Sequence, residues 1–361
     1  MNYLTRTLSV ACTAFALLFC TSAFAESAAG LKVMEKKACA SCHDLTGKPG
    51  PATAGLWRKG PALYFAGNKY NESWLKEWLQ NPKQVRPSGM FYLDHVESGK
   101  RRDMIRKTSF PEHVRLTTLE AESVVSVLSG KRTKTALIRA EKLDPSITAG
   151  SAGELLFDKG NGCMACHRIA PDYGGLSGPE LHTAGKRLKP EYMLSFIRNP
   201  NAWNRKTYMP RRDLSEEELQ KLVNYIDSLS GVVAPKISAD SEEGLLANQE
   251  AAGEIPAFNE ADGVESPAKN YRLYCMQCHG ISGHGSGINS RDMAVPARNH
   301  SNGKYMQARS DAELFKVIKE GGVAISKSAL MPPWKSLLTD AEITDLVKHV
   351  RKLCQCEFKA K

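Results

Sequence analysis

The sequence predicts a helical chain built of three tandem units, and three observations support this. The chain has 361 residues, more than one compact domain usually holds. A C-x-x-C-H motif occurs three times, at residues 39–43, 163–167 and 275–279. A Ser/Thr-x-x-Glu capping box follows each motif and opens an amphipathic helix. Each unit is therefore expected to begin near a cysteine motif and to close on a capped helix.

The first 25 residues have the features of a cleavable secretory signal peptide. Arg6 supplies a positive start, residues 8–19 are apolar, and residues 23–25 form a small-x-small cleavage site. The apolar run is too short to span a membrane comfortably, and no later segment is longer. A lipid anchor on Cys20 is the alternative, but Phe19 occupies a position where lipoprotein signals have a small residue. We expect a periplasmic protein without a transmembrane anchor of its own.

The three motifs contain six of the eight cysteines that follow the signal peptide. Two thiols three residues apart on one helical turn can add to the two vinyl groups of one haem, and the adjacent histidine then binds its iron. One copy would also suit a redox or zinc site, but three copies behind a secretory signal favour covalent haem c. The sequence predicts three such haems, with the cysteines and the proximal histidines being Cys39, Cys42, Cys163, Cys166, Cys275, Cys278, His43, His167 and His279.

Two of the units repeat the same pattern beyond the motif. Gly60-Pro61 in the first unit corresponds to Gly178-Pro179 in the second. An aromatic helix ending in Asn-Pro then follows in each, at residues 74–82 and 192–200. The proline ends the helix because it pushes the preceding residue out of the α region. These two units are therefore predicted to be copies of one domain, whereas the third has diverged.

All three units close on a predicted amphipathic helix. The capping boxes are Thr117/Glu120, Ser215/Glu218 and Thr339/Glu342. Apolar residues recur at helical spacing behind each box, so each helix has one buried stripe. These residues are interpreted as core and not as part of a site.

The motifs, the Gly-Pro pairs and the closing helices together resemble the class I cytochromes c. The resemblance implies an all-α fold of three tandem cytochrome c-like domains, each wrapped around one covalent haem. It also implies that an N-terminal helix crosses the C-terminal helix. In that family a proline carbonyl accepts from the proximal histidine; Pro61 and Pro179 match this position, and Pro296 is the candidate in the third unit.

The resemblance further implies that a methionine is the sixth iron ligand. Met209 and Met331 each precede proline shortly before a closing helix, as in the family. Met90 is favoured in the first unit, although Phe91 follows it where proline is usual. Three other residues before the closing helix leave alternatives open, as does a vacant sixth position; they are Met104, His95 and His113.

The predicted domain boundaries follow from these features. They are a signal peptide at 1–25, domains at 26–132, 150–231 and 265–356, and an acidic linker at 232–264. Cys354 and Cys356 belong to no haem motif. A local bridge, a link to a partner and two free thiols all stay open for them.

The charge balance does not indicate nucleic acid. The formal net charge is +10, and +9 once Arg6 is removed. Three haems add roughly six propionate charges, which leaves about +3. The surplus is expected to accompany the haem carboxylates or to form docking patches for acidic redox partners.

Three function classes follow. The favoured one is a non-catalytic electron carrier between respiratory partners, which would be redox proteins or a membrane quinol-oxidising or terminal reductase or oxidase complex. The second is a cytochrome subunit of a periplasmic dehydrogenase. The third is a haem enzyme that uses a weakly ligated haem in the first domain.

Overall fold

The computed structural model describes residues 26–48, 59–204, 207–230 and 267–360. Helices dominate this part of the chain, and its only strands form two short antiparallel pairs. Val96–Ser98 (β1) pairs with Asp103–Ile105 (β2), and Arg168–Ala170 (β3) pairs with Tyr173–Gly174 (β4). The all-α fold class is confirmed. The predicted signal peptide and the 232–264 linker lie outside the described residues.

The described chain forms two compact units. The first comprises residues 26–48, 59–83 and 112–136, and the second comprises 84–111 and everything described from 137 onward. Residues 84–111 were predicted to be part of the first domain, but in the structure they belong to the second unit.

The first unit is built on four helices. They are α1 (26–36), α2 (Ala66–Lys69), α3 (Glu72–Gln80) and α4 (Thr118–Gly130). The Thr117 side chain and Glu120 form the predicted capping box at the start of α4. α1 crosses α4 so closely that a Cβ atom on Gly30 would lie 2.0 Å from the carbonyl oxygen of Ser123.

The second unit begins with a comparable arrangement. Its helices here are α5 (Gly150–Leu155), α6 (Ala184–Arg187), α7 (Pro190–Arg198), α8 (Pro200–Trp203) and α9 (Glu216–Ser228). A π-helical turn, Leu156–Gly160, extends α5. α5 packs on α9, where a Cβ atom on Gly153 would lie 2.9 Å from the Cβ of Tyr225. Ser215 and Glu218 form the second capping box.

The rest of the second unit is helical as well. It contains α10 (Pro267–Asn270), a π-helical turn (Tyr271–Cys275), α11 (Met276–His279), α12 (Gly303–Met306), α13 (Asp311–Glu320) and α14 (Asp340–Cys354). α10 packs on α14, and Thr339 with Glu342 forms the third capping box. Each of the three cysteine motifs is thus preceded by a helix that packs against a capped helix, as the resemblance implied.

Residues 84–111 pack against this last part of the second unit. Phe91 lies in the same hydrophobic core as Tyr274 and Trp334. The Tyr92 hydroxyl donates to the backbone carbonyl of Arg272 and, at 3.3 Å, to that of Leu273. The segment therefore contributes to the core around the third cysteine motif.

Two remaining expectations concern the chain end and membrane spans. Cys354 and Cys356 form a disulfide, so of the alternatives left open the local bridge is the one observed. Within the described ranges, no helix combines the length and the apolarity that a membrane span requires.

Candidate haem-binding sites

The first two cysteine motifs fold in the same way. Cys39–Ser41 and Cys163–Ala165 are single 3₁₀ turns, and the residue before each turn, Ala38 or Gly162, is left-handed, with φ of 51° and 62°. In the third motif the α11 helix carries the second cysteine and the histidine. None of the six motif cysteines forms a disulfide. Each pair therefore offers two thiols on one turn of chain, as attachment to two vinyl groups requires.

Each motif histidine is held by a backbone carbonyl. The Nδ1 atoms of His43, His167 and His279 lie 2.8 Å from the carbonyl oxygens of Pro61, Pro179 and Arg298 respectively. Because a carbonyl oxygen only accepts, Nδ1 carries the proton and Nε2 keeps its lone pair for a metal.

These contacts decide the three proline predictions. Those for Pro61 and Pro179 are confirmed. The prediction for Pro296 is wrong, because the carbonyl of Arg298, two residues later, accepts from His279 while Pro296 is exposed. The third unit has no Gly-Pro pair after its motif to fix the loop as in the other two.

Burial shifts the pKa values of several motif histidines and cysteines. Burial lowers the pKa of His167 and of His279 to about 4, so both imidazoles are neutral ligands at pH 7. Burial also raises the pKa of the Cys163 thiol to about 11 and that of Cys275 to about 12. Both groups are therefore thiols and not thiolates at pH 7. Among the described residues, no cluster of three or more His, Cys, Asp or Glu could hold a bare metal ion.

Glycines leave room for the two proximal histidines. A Cβ atom on Gly60 would lie 2.6 Å from Cε1 of His43, and one on Gly178 would lie 2.6 Å from Nδ1 of His167. Both rings therefore pack against a glycine in the loop that supplies their carbonyl partner. The thiol pairs, the neutral imidazoles and these glycine contacts fit a covalently attached haem.

Asn289 connects the second and third motifs inside the second unit. Its side chain is buried, with 2% exposure, and its Oδ1 accepts from the backbone N–H groups of Leu176 and Ser177 at 2.8 and 3.0 Å. Its Nδ2 lies 3.6 Å from Sγ of Cys278 and 4.0 Å from Sγ of Cys166. One amide group therefore lies within 4.0 Å of both attachment sulfurs.

Sequence reasoning missed this residue. Asn289 lies in a Gly- and Ser-containing loop after the third motif, and nothing in its local sequence marks it. The Ala165–Met293–Leu330 cluster packs against the same two cysteines and is likewise made of residues distant in sequence.

The predicted methionine ligands are placed as follows. Met209 and Met331 are half-buried in the second unit, and the carbonyl of Met331 accepts from Gly322 N–H at 2.9 Å. Met90 is half-buried and also belongs to the second unit. Ligation by these three residues stays a prediction.

The alternatives for the first haem differ in their surroundings. Met104 is 52% exposed on β2, and Nδ1 of His95 lies 2.8 Å from the Ser109 hydroxyl. His113 lies in the first unit, where its ring centroid is 6.1 Å from that of His43 with an interplanar angle of 67°. Its ring also meets Trp78 edge-on, with centroids 4.7 Å apart.

Comparison with known proteins supports these sites. The family model for cytochrome C oxidase, cbb3-type, subunit III matches residues 148–226 and 262–350. The family model for cytochrome c matches residues 27–126. No curated protein and no solved structure matches the chain. The matched ranges include all three C-x-x-C-H motifs, and the chain accordingly belongs to the c-type cytochrome family, whose covalently bound haem c transfers electrons.

Proposed function

We propose that this chain is a periplasmic tri-haem cytochrome that passes electrons between respiratory redox partners. Cys39 with Cys42, Cys163 with Cys166, and Cys275 with Cys278 would each attach one haem. The bound haem supplies a one-electron Fe(III)/Fe(II) couple. His43, His167 and His279 would bind the irons, and Met209 and Met331 are proposed as sixth ligands in the second unit.

The observation that carries this proposal is the position of Asn289. Its amide nitrogen lies within 4.0 Å of the sulfurs of both Cys166 and Cys278. A haem attached at either motif would be bonded to one of these sulfurs. Haems attached at both motifs would therefore lie near one another, an arrangement suited to passing electrons and not required by a single-site enzyme.

Surrounding contacts hold this pair of attachment points in place. The Asp103 carboxylate accepts from Ile281 N–H at 2.8 Å, and the Asp103 N–H donates to the Ser286 carbonyl at 2.8 Å. These bonds tie β2 to the loop after the third motif. A loop fixed in this way has little freedom to rearrange when charge changes nearby, which favours electron transfer.

The same reasoning extends to location and partners. The sequence features of residues 1–25 support export to the periplasm. The match to a cbb3-type oxidase subunit supports a terminal oxidase-like redox complex as the acceptor. A mildly basic holoprotein would dock weakly to acidic partner surfaces, which suits rapid exchange.

A one-electron relay experiment tests this function. A flash photoreductant delivers less than one electron per molecule to the oxidised holoprotein, and the visible spectrum follows its redistribution. We expect a redistribution phase whose rate does not depend on protein concentration. Replacing Cys163 and Cys166 by Ser removes one member of the pair and should abolish that phase.

The matched control is the Cys39→Ser, Cys42→Ser variant, which removes the first haem and leaves the pair intact. It should retain the concentration-independent phase. Redistribution that always scales with protein concentration would contradict the relay. Stoichiometric carbon monoxide binding together with peroxide turnover by the wild type would favour the haem enzyme instead.

A further inference from the structure

We propose that His113 is the sixth ligand of the iron bound by His43, so that the first haem has two histidine ligands. This rests on the proposed function, since it requires a haem on Cys39 and Cys42. It replaces Met90 as the favoured ligand in this unit. The second and third haems keep their methionines, so the three irons differ in ligation.

The separation of the two rings carries the proposal. The centroids of His43 and His113 are 6.1 Å apart. Metal–imidazole bonds are about 2 Å long, and two imidazoles bound on opposite sides of one metal therefore have centroids about 6 Å apart. The angle of 67° between the rings is also permitted, because imidazoles can rotate about the metal–nitrogen bond.

Both rings present the same nitrogen for ligation. Nδ1 of His113 lies 2.8 Å from the carbonyl oxygen of Val114, and Nδ1 of His43 lies 2.8 Å from that of Pro61. Each Nδ1 therefore carries the proton, and each Nε2 keeps its lone pair. A backbone carbonyl that fixes the tautomer in this way is the usual outer partner of a metal-binding histidine.

The chain around His113 places it where a sixth ligand belongs. It lies three residues before Leu116, whose N–H donates to the Leu79 carbonyl at 3.0 Å and ties this stretch to α3. α4 and its capping box follow directly. Met209 and Met331 occupy the corresponding positions in their own parts of the chain, shortly before the capped helices α9 and α14. The Trp78 ring packs edge-on against the His113 ring and restricts its orientation.

The other candidates belong to the second unit. Met90 lies between Ser88, whose N–H donates to the Leu176 carbonyl at 3.2 Å, and Phe91, which is buried in the core of that unit. Met104 and His95 also lie within residues 84–111, which that unit contains. His113 is the one candidate among the four that shares a compact unit with His43.

This ligation sets the first haem apart in potential. A thioether ligand raises the reduction potential relative to an imidazole. The first haem should therefore have the lowest potential of the three, which makes it the strongest reductant among them.

The test uses the full-length oxidised holoprotein. Near-infrared magnetic circular dichroism distinguishes bis-histidine from histidine–methionine iron, and we expect two haems of the methionine type and one of the bis-histidine type. His113→Met should convert the bis-histidine signal to the methionine type and raise the reduction potential of the first haem. His113→Ala should let one haem per chain bind carbon monoxide when reduced, and added imidazole should restore the bis-histidine signal. Met90→Leu is the matched control and should leave all three signals unchanged.

Two results would overturn the proposal. One is loss of a methionine-type signal in Met90→Leu, and the other is an unchanged spectrum in His113→Ala. Since His113 is exposed, its replacement should not prevent folding. Covalent haem counted by mass separates this from the wider function. If the wild type carries three haems but the His113 variants have the wild-type spectrum, only the assignment of His113 as a ligand is contradicted. If the wild type carries fewer than three haems, the tri-haem function itself is contradicted.

Discussion

Asp103 is a buried carboxyl group in the second unit, with 7% of its surface exposed. Burial raises its pKa to about 7, although the bond from the Ile281 N–H partly opposes this shift. In the unfolded chain an aspartate titrates near pH 4. Between these two values the folded protein holds a proton that the unfolded chain has lost.

Stability should therefore fall as the pH rises from about 4 to about 7 and level off above that. One proton corresponds to about 1.4 kcal/mol per pH unit inside this window. Asp103→Asn keeps an oxygen that can accept from Ile281 and should flatten this part of the curve. Denaturant unfolding of the holoprotein across the range measures this slope, with Asp345→Asn on α14, a carboxylate whose side chain is 43% exposed, as the control. A slope that is equal in both variants would contradict the assignment.

Residues of the site differ in how far sequence alone identifies them. The proximal histidines and the Pro61 and Pro179 carbonyls follow from motifs that lie close together in the chain. Asn289 and Asp103 do not, because Asn289 reaches Cys166, 123 residues away, and Asp103 reaches Ile281, 178 residues away. Tertiary packing, and not local pattern, gives these two side chains their roles.

At the scale of the element, α1 and α4 cross in the first unit at Gly30. The Cβ of any other residue there would lie 2.0 Å from the Ser123 carbonyl oxygen and 2.7 Å from a Val127 methyl group. Because the nearer atom is backbone, the helices would have to separate. Gly130, at the end of α4, has nothing within 4 Å of the corresponding position.

Gly30→Ala should destabilise the holoprotein by about 1–3 kcal/mol through overpacking. Gly130→Ala makes the same chemical change in open space and should be neutral or stabilise by up to about 1 kcal/mol, because it restricts the unfolded chain. Thermal or denaturant unfolding gives both values. Equal effects of the two substitutions would show that the close crossing does not constrain the fold.

Elements with local signals were predicted well. All three capping boxes form, and the asparagines of the expected Asn-Pro ends, Asn81 and Asn199, are the C-cap residues of α3 and α7. The β1–β2 hairpin and the π-helical turns were not predicted. The hairpin strands are three residues long, too short to show a period, and a π turn differs from an α turn only in its hydrogen bonds.

At the scale of the whole molecule, the described chain forms two compact units although its sequence repeats a motif three times. Sequence could count the motifs, but it could not show that residues 84–111 join the second unit. That depends on Phe91 and Tyr92 being buried among residues of the third motif. A repeated pattern identifies related segments and leaves open which of them share a core.

Two units with separate cores should unfold in two cooperative steps. Calorimetry of the oxidised holoprotein should resolve two transitions. Gly30→Val should lower the midpoint of one of them, and Gly153→Val, at the α5–α9 contact of the second unit, should lower the other. A single transition that both variants shift equally would mean that the units unfold together.

The placement of Asn289 also bears on how the protein is made. One buried amide lies within 4.0 Å of the sulfurs of both Cys166 and Cys278, and both cysteines are half-buried. Attachment of a haem at either cysteine would therefore change the surroundings of the other. We expect the two attachment steps in the second unit to influence each other during biogenesis.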